Sequence, residues 1–305
     1  MNGRQRVQAM FDGAAADRIP VYEHIWTTTF ERWKTEGLPE DADVARHFGF
    51  DVTGYGWPDL SLRFEPEVLE ETDDYVIEKN ADGMTVQRHK EGGGHTPHWI
   101  DWTLRDRETW ERYKERLNWD DDRVDWDRAR ELHDYARANG MFLLFMSTDA
   151  YESFWSKFGQ VQTFQLMLDD PDLIAEVAMT YAELIVEAAK AYRRHGLDFD
   201  GGWQYGDVGY RNGLLFSPQC FRDLIKPANK TVCDYFNGIG KPVILHSCGQ
   251  IKSLIPDFIE IGYSGLNPLE AKCDQDLRDL HPKYGKDLVW VGNFDVRKLS
   301  GTKEE

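Results

Sequence analysis

Apolar positions fall into two rhythms along the chain, short unbroken runs and stripes with a helical period. Met141 to Met146 is apolar throughout and follows Asn139-Gly140, which predicts a buried strand. Further on, Ile174, Val177, Ala178, Tyr181, Leu184, Ile185 and Ala188 recur every 3.6 residues, the stripe of a helix buried on one face. Asp170-Pro171 opens that helix with proline at its first position, and Gly196 after His195 closes it as a C-cap. Residues 197–203 form the next strand. Ser217-Pro218 opens a helix to about 237, and then strands over 242–246, 265–268 and 288–292 alternate with helices over 251–260 and 277–283. Near the N-terminus, Asn2 caps a helix whose Val7, Met10 and Phe11 share a face. A strand over 21–26, a short helix over 42–48 and a strand at 50–53 follow. Charged helices are expected over 113–118 and 124–139.

Strands alternating with crossover helices imply a parallel sheet. Seven strand candidates are centred near 21, 51, 142, 199, 244, 266 and 290. No linker or break in composition divides the chain, so residues 1–305 read as one domain. The expected fold is α/β, a (β/α)8 TIM barrel. Its eighth strand is expected beyond the end of the chain, which makes the domain C-terminally incomplete. Two short runs around Asn80-Ala81-Asp82-Gly83 predict a hairpin, inserted near 75–91. A doubly wound open sheet is the alternative, but no strand here leads into a glycine-rich phosphate loop.

Charge narrows the partners. Lys and Arg number 36 against 54 Asp and Glu, a net charge of −18. Such a chain has no net attraction to nucleic acid or anionic lipid. No apolar run approaches the length of a membrane span, and residues 1–13 lack the apolar core of a signal peptide. A cytoplasmic protein with no membrane partner is expected. Cys220, Cys233, Cys248 and Cys273 are too few for a disulfide framework, so they are expected as thiols.

The sharpest candidate chemistry lies in Leu245-His246-Ser247-Cys248-Gly249. His246 and Cys248 are two residues apart at a strand end and so project to one face. At the C-terminal rim of a parallel barrel they supply half of a tetrahedral zinc site, or form a plain rim pair. Glu270 lies just past the next strand, where it serves as a third ligand, as a base, or as a carboxylate at a helix N-terminus. Cys273 nearby is a further ligand or a small apolar helix residue. Asp207, in Gly206-Asp207-Val208-Gly209, is a candidate acid, base or substrate contact, or a turn cap. The same alternatives hold for Asn293 and Asp295 at the seventh strand end. Trp57, Tyr210, Arg211 and Asn267 are candidates for substrate contact. His95 and His98 have the spacing of a solvated loop, and the side of the strand on which His24 falls is open.

Taken in order, these segments resemble the uroporphyrinogen decarboxylase superfamily. The resemblance rests on Asp17-Arg18-Ile19-Pro20-Val21, His47-Phe48-Gly49-Phe50-Asp51, Asp207-Val208-Gly209, Ser217-Pro218 with Phe221 and Pro227, His246-Ser247-Cys248-Gly249, and Gly292-Asn293-Phe294-Asp295-Val296. It implies a (β/α)8 barrel. Where the decarboxylases carry an arginine-containing stretch after the first strand, this chain has Glu23-His24-Ile25-Trp26-Thr27-Thr28-Thr29. The His-x-Cys pair resembles the zinc methyltransferases of the superfamily, and Glu270 matches the glutamate that related zinc enzymes add. In those enzymes a last ligand would lie beyond Glu305. The resemblance therefore implies a zinc methyltransferase, holding Zn²⁺ through His246, Cys248 and Glu270. It would move a methyl group between a small substrate and a thiol or a corrinoid carried on a separate protein, and homodimers are expected. Porphyrinogen decarboxylation, with Asp207 stabilising the protonated pyrrole, is the alternative. A barrel that has lost its chemistry is the third.

Overall fold

The computed structural model describes residues 1–90 and 96–299, so His95 and the end of the expected insertion, Glu91, lie outside the described residues. Twelve strands occur among the described residues: β1 Val52–Gly54, β2 Glu67–Glu71, β3 Tyr75–Lys79, β4 Met84–His89, β5 His98–Trp102, β6 Phe142–Thr148, β7 Gly201–Tyr205, β8 Gly209–Tyr210, β9 Gly213–Leu214, β10 Val243–His246, β11 Gly265–Asn267 and β12 Val289–Trp290. Six of them form a parallel sheet in the order β1-β6-β7-β10-β11-β12. The sheet curls into a half-barrel, so the fold is TIM-barrel-like. Helices carry each crossover, among them Pro171–Arg194, Lys226–Gly238, Ile255–Ile261 and Leu277–Tyr284.

The two faces of the sheet bury different residues. Leu143, Phe145, Val243, Leu245 and Leu266 face outward into the main core beneath the helices. Pro171–Arg194 supplies that core with its expected stripe, and Asp170 caps its N-terminus. Val52, Phe142, Leu144, Trp203 and Ile244 face inward. The helix Gly3–Phe11 closes the inward face at the N-terminal end of the strands, with Val7 in the cluster and the Phe11 ring 6.0 Å from Phe142. Alternation of period two then carries the inward face on to Tyr205, His246 and Asn267 at the opposite end.

Two expectations change. Residues 21–26 form no strand. Val21 N–H donates to the Asp51 carboxylate at 2.7 Å, and Val21 C=O accepts from Asp51 N–H at 2.8 Å. An amide held by a side chain cannot extend a ladder, so the segment stays extended and lays Tyr22 against Trp203. Six of the seven expected parallel strands are therefore present among the described residues, as a curled half-barrel. The expected hairpin is also larger. β3 and β4 pair around Asn80-Gly83 as predicted, but β2 and β5 flank them in a four-stranded antiparallel sheet. β2 is exposed along its whole length and has no apolar alternation to announce it. This sheet packs on the helix Ala150–Phe158, with Trp99 against Trp155 and Trp102 over Gly159.

Asp51 ties the N-terminal end together. Its buried carboxylate accepts from Arg6 Nη1 at 2.6 Å and from Arg18 Nη1 at 2.6 Å. Asp200, also buried, holds Arg4 Nε at 2.9 Å and Arg137 Nη1 at 2.6 Å. Removing one partner of a buried pair strands the other charge. Asp51→Ala is therefore expected to lower the unfolding free energy by about 3–5 kcal/mol in urea titrations, while breaking the exposed Arg32–Glu36 pair costs about 1 kcal/mol or less.

Candidate metal and catalytic site

The parallel register sets the site. Tyr205 pairs with His246, and His246 with Asn267, so three inward side chains stand side by side at adjacent strand ends. The ladder continues one residue further: Gly206 N–H donates to His246 C=O at 2.9 Å and Ser247 N–H to Asn267 C=O at 2.8 Å. The loops that follow start from fixed positions. They meet where Gly249, at φ 80°, lies against Gly209. A Cβ on Gly249 would come within 2.4 Å of the Gly209 carbonyl carbon and 2.5 Å of the Tyr210 nitrogen.

His246 is held in one orientation. Asn267 Nδ2 donates to Val291 C=O at 3.0 Å, which turns Asn267 Oδ1 toward His246 Nδ1 at 2.5 Å. A neutral ring then carries its proton on Nδ1 and presents an unprotonated Nε2. Burial pushes the His246 pKa below 6.5 and so favours that neutral ring, although Asp207 and Asn267 oppose the shift. Cys248 Sγ lies 3.5 Å from Nε2. Asp207 Oδ1 lies 3.8 Å from the same nitrogen and accepts from Cys248 N–H at 2.7 Å. Tyr205 donates its hydroxyl to Asp207 Oδ2 at 3.1 Å. One donor atom each of Asp207, His246 and Cys248 falls within 4.8 Å of the others.

This imidazole, thiol and carboxylate set suits zinc with a further position open. The thiol itself fits a cation. Burial, then Asp207 and Glu270, raise the Cys248 pKa well above its ordinary value, and a bound cation reverses that balance in favour of thiolate.

The other candidates fall into place around this group. Glu270 is outside the three-atom cluster. Its carboxylate accepts from Gly249 N–H at 2.7 Å and from Cys273 Sγ at 3.3 Å, and pairs with Lys272 at 2.8 Å. It braces the loop that carries Cys248. Asn293, at φ 65°, donates to Leu269 C=O at 2.7 Å and to Gln275 C=O at 2.5 Å, so its amide clamps two turns. Asp295 pairs with Arg297 at 2.7 Å, which lowers its pKa to about 2. Tyr210 and Trp57 are about half exposed, and Arg211 is exposed within electrostatic reach of Cys273. None of these three enters the hydrogen bonds described above.

Two carboxyl groups beside the site were not among the candidates. Asp149 follows β6 directly and caps the helix Ala150–Phe158, accepting from Glu152 N–H at 2.8 Å and from Asn229 Nδ2 at 3.2 Å. A Cβ at Gly206 would collide with its carboxyl group. Burial raises the Asp149 pKa to about 7. One turn on, burial raises that of Glu152 to about 8, and the charges of Asp149 and Asp207 add to the shift. The strand-end position of Asp149 was the available signal, since strand ends build sites in parallel barrels.

Comparison with known proteins adds the following. Residues 156–305 match the family model for uroporphyrinogen decarboxylase (URO-D). The N-terminal segments Asp17 to Val21 and His47 to Asp51 lie outside the matched stretch. Among solved structures, a methyltransferase from Methanosarcina mazei shares this fold, with a TM-score of 0.63 at 15% identity over 96% of this chain and 82% of that one. No curated protein matches the chain. No described helix is long and apolar enough to cross a membrane.

The raised acids give a signed pH dependence. A carboxyl group whose folded pKa is raised contributes stability below its unfolded value, and that contribution is lost as pH rises through the folded value. Metal-free protein should therefore lose stability between pH 5 and 8.5. In Glu152→Gln that loss should shrink by on the order of 1–4 kcal/mol, read from urea midpoints across the range.

Proposed function

We propose that this chain, whose residues 156–305 match the family model for uroporphyrinogen decarboxylase, is a methyltransferase of that superfamily with a zinc site at His246, Cys248 and Asp207. The observation that carries the proposal is the convergence of imidazole nitrogen, thiol sulfur and carboxylate oxygen within 4.8 Å at the C-terminal strand ends. The fold shared with a methyltransferase supports it. Among the described residues no lysine or arginine pairs with Asp149, Glu152 or Asp207, so the charges of a polyanionic porphyrinogen would find no partner beside the site.

In this proposal His246 offers Nε2, fixed by Asn267 from behind. Cys248 offers sulfur. Asp207 offers Oδ1 while its Oδ2 keeps the Tyr205 hydroxyl in place. Bound zinc supplies Lewis acidity for a methyl donor, or for the thiol that accepts the methyl group. Glu270, the ligand expected from the sequence, acts here by fixing the Gly249 amide and so the position of Cys248. A corrinoid on a separate protein is the proposed second methyl carrier.

Plasma mass spectrometry of zinc-loaded, dialysed protein should find about one zinc per chain, and Cys248→Ser should lose it. Asn267→Ala should keep the fold and weaken zinc affinity by about 10–100-fold, as loss of a partner that orients a histidine ligand does. Zinc retained by Cys248→Ser would overturn the ligand assignment.

A further inference from the structure

His246 and Cys248 are held by different means. His246 belongs to β10, and Asn267 on the next strand orients its ring. Cys248 lies past the end of that strand, so its sulfur goes where the turn over residues 248–251 places it. Every backbone N–H of this turn is engaged. Cys248 N–H donates to Asp207 Oδ1 at 2.7 Å, Gly249 N–H to Glu270 Oε2 at 2.7 Å, Gln250 N–H to Tyr210 C=O at 2.8 Å and Ile251 N–H to Gln275 Oε1 at 3.4 Å. Gln275 also donates through Nε2 to Gly249 C=O at 2.7 Å. One side-chain amide, a donor and an acceptor together, thus grips the turn at two points as a neighbouring strand would. Gln275 is itself fully buried, and its own carbonyl accepts from Asn293 Nδ2 at 2.5 Å. The same Asn293 nitrogen holds Leu269 C=O at 2.7 Å, which anchors the grip in the loop after β12.

We propose that Gln275 is the positioning residue for Cys248, as Asn267 is for His246; this rests on the metal-site reading of His246, Cys248 and Asp207. Gly249 and Ile251 are both buried. Without the Gln275 amide, a buried carbonyl and a buried N–H lose their partners. That loss is costly enough for the turn to shift toward other partners. Two of the three ligands move with it. The sulfur moves directly, and the Asp207 carboxylate moves because the Cys248 N–H is its hydrogen-bond donor.

Two measurements on the full chain test this, in wild type, in Gln275→Met, which has similar length and no amide, and in Gln275→Asn, which carries the amide on a shorter arm. Hydrogen exchange of the metal-free protein reads the turn. In both variants the amides of Cys248, Gly249 and Ile251 should exchange at least about tenfold faster, a larger gain than at Trp203 and Leu245 in the sheet. Cobalt loading reads the sulfur. Wild type should show thiolate-to-cobalt charge-transfer absorption, and the variants should show it weakened or shifted, with zinc affinity lower by about 10–100-fold. Equal gains in exchange at turn and sheet amides, the mark of a merely structural role, overturn the proposal. So do an unchanged cobalt spectrum and zinc affinity in the folded variants. Wild type that binds neither metal sinks the metal-site reading alone, and exchange at the Cys248 amide then decides whether Gln275 positions it.

Discussion

Everything at this site depends on the register between β7, β10 and β11. Tyr205, His246 and Asn267 occupy facing positions on neighbouring parallel strands, and the side-chain period of two sends all three to the inner face. A slip of one residue in any of these strands would turn its site residue outward into the helical layer. The register is held from below by the packed inner cluster of Phe142, Leu144, Trp203 and Ile244. It is held above by the amides of Gly206 and Ser247, which extend the ladder into the loops. The geometry of the candidate site is thus an extension of sheet geometry.

The second constraint is electrostatic. Asp149, Glu152 and Asp207 gather beside a thiol and a neutral imidazole, and the cations near them are engaged elsewhere. Burial keeps the two deeper acids protonated to higher pH, and their mutual repulsion works in the same direction as burial. Cys248 feels the same field. Acids held neutral in this way cost less to bury than ionised ones, and a cation placed at Asp207 and Cys248 would shift the balance toward their charged forms.

Much of this was legible in the sequence, for identifiable reasons. The helix Pro171–Arg194 announces itself by its stripe, its N1 proline and its terminal glycine, all local signals. β6 shows as an apolar run, and the nearness of His246 to Cys248 follows from strand periodicity alone. What stayed hidden is set by tertiary contacts. β2 pairs through its backbone while its side chains face water, so no apolar pattern marks it. Residues 21–26 have the composition of a strand, but Asp51 takes the amide that would begin a ladder. Glu270 and Asn293 lie where site residues are expected, yet Asn293 is turned to neighbouring carbonyls and Glu270 to the Gly249 amide, Lys272 and Cys273. Asp149 and Glu152 are made unusual only by the layers that bury them.

The contact between Gly249 and Gly209 has a consequence for how this protein can change. Backbone touches backbone there, with no side chain between to absorb a shift. The loop bearing Asp207 and the loop bearing Cys248 therefore form one unit of inheritance. A chimaera that takes one loop from a relative must take the other, and insertions that diversify specificity will be tolerated outside this pair. Variation is channelled toward the rim carrying Trp57, which lies outside this contact.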